Sequence, residues 1–86
     1  MNRYRYLTEL LPPRTIFLGE GGCSIDVRTL YYEKSTAPLD RAKKELERVG
    51  DMLGANLIDD LEAKPRTGST LIDFTCKYYF IPGHNL

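Results

Sequence analysis

The stretch APLDRAKKELERVGDMLG, residues 37–54, decides how the chain folds. Leu39, Ala42, Leu46, Val49 and Leu53 recur at steps of 3, 4, 3 and 4, which lines them up as one stripe of a helix. Asp40, Arg41, Lys43, Lys44, Glu45, Glu47, Arg48 and Asp51 fill the remaining positions. Ser35 and Thr36 offer a hydroxyl N-cap, Pro38 suits the first turn, and Gly54 fits the left-handed position that closes a helix. Asp40 before Lys44 has the favoured i,i+4 order. Such a helix has one apolar side only, and that side needs a second layer to lie on.

Working outward, the second layer reads as strands. On the C-terminal side, Ile72, Phe74, Cys76, Tyr78 and Phe80 alternate with Asp73, Thr75 and Lys77, the period of a strand with one buried face. Asn56 to Ala63 precedes it across the turn-forming residues 64–69, KPRTGS, so the two segments predict a β-hairpin. On the N-terminal side, Cys23, Ile25, Val27, Thr29 and Tyr31 alternate with Ser24, Asp26 and Arg28, predicting a strand over Cys23 to Glu33. Leu30 and Tyr32 interrupt its polar side. Thr15 to Leu18 reads as a short strand, and Gly19-Glu20-Gly21-Gly22 as a tight turn after it. Tyr4 to Leu11 fits both periods and is read as a short strand or irregular arm, ended by Pro12-Pro13. Residues 82–86 read as a flexible tail. The expected architecture is α+β, a single domain over residues 1–86 with a small antiparallel sheet of three to five strands and one amphipathic helix packed on one face. The opposite face is left with Tyr32, Leu71, Tyr79 and Ile81.

Leu53-Gly54-Ala55-Asn56-Leu57-Ile58, at the end of the helix and before a Gly-turned hairpin, resembles the β-α-β-β core of the YbjQ-type heavy-metal-binding family and the related domain of the Rcs envelope-stress lipoprotein. Cys23 and Cys76 fall near positions where the lipoprotein has cysteines. The resemblance implies a binding or sensing module rather than an enzyme, and it carries no functional residue over.

Composition narrows the function. Hydrophobic residues make up 42% and charged residues 28% of 86 residues, which fits a small globular chain. Twelve Lys and Arg balance twelve Asp and Glu, for a net charge of zero. That removes the long-range attraction to phosphate on which most nucleic-acid binders rely, and it leaves little repulsion to prevent self-association. Arg3, Arg5, Glu9 and Pro12-Pro13 interrupt the apolar start, so a cytoplasmic protein is expected, with no membrane segment.

The chemistry-bearing residues are sparse. Cys23 and Cys76 are the only two cysteines, read as small buried hydrophobes, with a disulfide between neighbouring strands as the alternative. His84 is the sole histidine and sits near the C-terminus, a poor place for a catalytic base. No metal-ligand spacing, cofactor motif or catalytic set is expected. Asp59, Asp60, Glu62 and Asp73 read as a solvated, charge-protected edge, or as an acidic surface that meets a basic partner.

Tyrosine is the informative residue. The chain has six, at Tyr4, Tyr6, Tyr31-Tyr32 and Tyr78-Tyr79, with Arg and Lys close by. Adjacent strand residues point to opposite faces, so each pair places one ring inside and one outside. Tyr32 and Tyr79 are the expected outer rings. With Arg28, Lys77, Tyr4 and Tyr6 they form the expected partner-binding set, because Tyr and Arg supply large contact area with a polar tip. The reading favoured is a non-catalytic protein-binding module, a small adaptor or inhibitor. Single-stranded nucleic-acid binding by Tyr stacking and a homo-oligomeric sensor domain stand as alternatives.

Overall fold

The computed structural model describes residues 11–29 and 37–82, and the backbone of residues 5–7. The fold is α+β. Strands β1 (Arg5–Leu7) and β2 (Ile16–Asp26) precede the helix α1 (Pro38–Leu53), and β3 (Leu57–Pro65) and β4 (Leu71–Phe80) follow it. The sheet order is β1-β3-β4-β2. β4 pairs antiparallel with both neighbours, while β1 joins β3 in parallel, Tyr6 opposite Ile58.

The helix starts with Pro38 in its first turn and Asp40 close behind, where an acid favours the positive end of the helix dipole. Its cap residue is Ala37, with no side-chain cap hydrogen bond; the expected hydroxyls, Ser35 and Thr36, lie outside the described residues. At the other end Gly54 takes φ 79°. Its N–H donates to the Asp51 carbonyl and the Ala55 N–H to that of Gly50, at 3.2 and 2.9 Å, the paired bonds of a Schellman motif.

The buried line of the helix is Ala42, Leu46 and Gly50, in place of the full expected stripe. Leu39, Val49 and Leu53 remain 38 to 44% exposed. Burial at steps of four follows a line tilted across the helix, so those three side chains fall at its margin. Beneath them lie Ile25, Ile58, Phe74, Cys76 and Tyr78. The Tyr78 hydroxyl donates to the Leu46 carbonyl, tying sheet to helix.

Two expectations about β2 are corrected. Gly19 to Gly22 forms no turn: β2 runs unbroken from Ile16 to Asp26, with a bulge between Phe17 and Gly19. The glycines answer to packing, since a Cβ on Gly21 would meet the Tyr78 ring at 2.4 Å and one on Gly22 the Phe74 carbonyl oxygen at 2.9 Å. The strand also ends at Asp26 rather than continuing to Glu33. Val27 N–H makes a last cross-strand bond to the Thr70 carbonyl at 3.1 Å, and residues 27–29 turn helical. Asp26 drives the change by accepting from the Arg28 N–H at 2.9 Å, which is how an N-cap acid starts a helical turn. Residues 30–36 lie outside the described residues.

The hairpin between β3 and β4 forms as expected, with its turn at residues 66–70 and Gly68 at φ 71°. β3 carries a bulge between Asp59 and Glu62, where Asp60 takes φ 51°, a left-handed conformation that Asp tolerates better than most residues.

Candidate functional site

Strand register sorts the side chains into two faces. Paired residues on neighbouring strands point the same way, so the pairs Cys23 with Phe74, Ile25 with Ile72 and Ile58 with Tyr78 share the helix face. The opposite face takes Phe17 with Tyr79, Glu20 with Lys77, Ser24 with Asp73, Asp26 with Leu71, and Lys64 with Asp73.

At one end of this outer face the Phe17 and Tyr79 rings pack at a centroid distance of 5.4 Å, tilted by 59°. Tyr79 is half-buried, and Phe17 is 55% exposed. Tyr79 therefore lies on the expected face, with Phe17 as a neighbour the sequence reading left out. Strict alternation back from Ile25 and Cys23 would set Phe17 on the helix face; the bulge between Phe17 and Gly19 turns it outward, opposite Tyr79. Ile81, expected outside, is buried at 6%. Its N–H donates to Asn56 Oδ1 at 2.7 Å, and its carbonyl accepts from Asn56 Nδ2 at 3.1 Å. That amide bracket turns the chain inward after β4.

Further along, an open depression of about 310 Å³ is lined by Glu20, Asp60, Glu62, Thr75 and Lys77, together with Gly21 and Cys76. Lys77 is committed to Asp60, Nζ to Oδ2 at 3.1 Å, and the bonded carboxylate raises its pKa. Asp59 points to this face and is buried at 8% exposure, with Oδ1 lacking a hydrogen-bond partner. β1 flanks β3 only over Leu57 to Asp59; Asp60 and Glu62 lie past its end, where β3 has no second neighbour among the described residues, and with Asp59 they gather on the outer face.

A second charged group closes the far end. Arg66 donates to both oxygens of Asp73, at 3.1 and 2.7 Å, and Ser24 Oγ donates to the same carboxylate. These bonds hold the Asp73 carboxyl below its ordinary pKa, Arg66 contributing most. Asp26 is depressed further, by the Arg28 side chain first, then the Arg28 N–H and the Thr70 hydroxyl. Arg28, expected on the outer side of a strand, sits in the helical turn and folds back on Asp26 at 2.9 Å. Its side chain stays 71% exposed.

The remaining expected residues are not brought together here. Tyr4, Tyr32 and His84 lie outside the described residues, and of Tyr6 only the backbone pairing to Ile58 is described. Cys23 and Cys76 are free thiols on the helix face. Burial pushes both thiols above their ordinary pKa, which disfavours the reactive thiolate. Among the described residues no group of three or more His, Cys, Asp or Glu is placed to hold a metal ion, and no helix is long and apolar enough to cross a membrane. No family model matches the chain, and neither does any curated protein or solved structure.

Proposed function

We propose that this protein is a non-catalytic protein-binding module of the cytoplasm, a small adaptor or inhibitor that acts by covering part of a larger partner, and that it engages that partner through the sheet face opposite α1. The observation that carries this reading is the Phe17–Tyr79 ring pair, which leaves one aromatic ring more than half exposed beside a charged surface. An aromatic anchor ringed by polar groups is the arrangement that concentrates binding energy at protein interfaces. The resemblance carried by Leu53 to Ile58 implies a binding module as well.

The same face argues against single-stranded nucleic acid. Glu20, Asp60 and Glu62 gather in the middle of this face against a single lysine, Lys77, in a chain of zero net charge, and phosphate is repelled by such a surface.

The test is a tagged capture from the source cells with the wild-type chain, Tyr79→Ala and Tyr32→Ala. A partner retained by the wild type is lost with Tyr79→Ala. Retention of every partner by both variants rejects the surface.

A further inference from the structure

β2 is the last strand in the sheet order, and among the described residues nothing pairs with its outer edge. In an antiparallel ladder, residues alternate between turning their N–H and C=O toward the partner strand and away from it. The Val27 N–H is bonded to the carbonyl of Thr70, the residue before β4, so Gly21, Cys23 and Ile25 face β4 while Glu20, Gly22, Ser24 and Asp26 turn their backbone groups outward. Natural edges of this kind are usually blunted by lysine or proline. Residues 16–26, IFLGEGGCSID, contain neither.

Charge selects what can pair there. β2 carries Glu20 and Asp26 and no cation. A second copy pairing antiparallel about Gly21 would set the two Glu20 side chains diagonally across from one another, a like-charge contact that disfavours the pair. Asp26 is neutralised by Arg28 at 2.9 Å, and Lys77 by Asp60 at 3.1 Å. Glu20 makes no salt bridge among the described residues; it stands across from Lys77, which already bonds Asp60 and feels both acids, so the depression they line with Glu62 sets three acids against one lysine.

We propose that the open edge of β2 takes up an extended segment of a partner protein as a fifth strand, with a Lys or Arg of that segment seated over Glu20. Main-chain bonds to Glu20, Gly22 and Ser24 supply the pairing, and the acidic depression supplies the preference for a basic strand. The proposal rests on the protein-binding reading and names the chemistry of the partner.

The experiment uses two fluorescein-labelled ten-residue peptides as probes, one of alternating Thr and Lys and one of alternating Thr and Glu, with the full chain. The Thr/Lys peptide slows amide exchange at Glu20, Gly22 and Ser24 and leaves Gly21, Cys23 and Ile25 unchanged, while the Thr/Glu peptide does neither. Glu20→Lys weakens Thr/Lys binding by about fivefold, the scale of one exposed ion pair. Ser24→Pro, which removes an outward N–H and no backbone bond to β4, only the exposed Oγ bond to Asp73, abolishes the exchange protection while circular dichroism shows the fold intact. Tyr79→Ala, on the inner strand β4, still binds the peptide, so failure of the ring surface and failure of the edge are read separately. Equal binding of both peptides, absence of protection at the three outward amides, or a dimer in sedimentation with those amides already protected in the free chain overturns the proposal.

Discussion

Two residues carry more of the fold than their size suggests. Gly21 is required because the Tyr78 ring occupies the space its Cβ would take, at 2.4 Å, and that ring is anchored by its hydroxyl to the Leu46 carbonyl. Gly21→Ala therefore destabilises the chain by about 1–3 kcal/mol through overpacking, read as a lower urea midpoint with an unchanged slope. Asn56 holds both the N–H and the carbonyl of Ile81 in a buried site. Asn56→Ala leaves those groups unpaired and costs about 2–3 kcal/mol, whereas Thr75→Ala, an exposed control on β4, stays near neutral in the same unfolding measurement. Neither role was legible in the sequence. A glycine in GEGG reads as a turn because the ring that excludes its Cβ sits 57 positions away, and an asparagine after a helix says nothing of the backbone it will bracket.

The elements were more legible than their edges. Helix α1 was readable from its stripe and from Gly54, and β3 and β4 from alternation around a Pro/Gly turn, because each signal is local. The end of β2 was not readable, because Val27, Thr29 and Tyr31 continue the alternation past the point where Asp26 captures the Arg28 N–H. That capture has a pH signature. The folded pKa values of Asp26 and Asp73 are depressed, so their contribution to stability is present above the unfolded carboxylate range of about 3.9 and is lost as pH falls below it. Thermal melts between neutral pH and pH 3 show a falling midpoint, and Asp26→Asn flattens that fall. The helix stripe gives a further contrast. Leu46 is 1% exposed and Leu53 44%, so Leu46→Ala costs about 2–5 kcal/mol and Leu53→Ala far less, as equilibrium unfolding measures.

At the scale of the molecule, the layers are unequally covered. One helix shields the sheet face built by Ile25, Ile58, Phe74, Cys76 and Tyr78, and the opposite face presents aromatic rings at one end, acids in the middle and the Arg66–Asp73 pair beyond. The sequence signalled this outer face through Tyr79 and Lys77. It could not signal Phe17, whose outward place depends on the bulge between Phe17 and Gly19. The thiols fit the same layering: with Cys76 buried and Cys23 half-buried on the covered face and their pKa values raised, a disulfide-exchange reagent at neutral pH labels Cys76 in the native chain many times more slowly than in the urea-unfolded one. The most direct measurement of the binding surface places a photo-crosslinking benzoylphenylalanine at Phe17 on the outer face, or at Met52 on the helix, in the source cells. A protein adduct from position 17 and none from position 52 is the predicted result; adducts from position 52 alone, or a nucleic-acid adduct from position 17, contradict it.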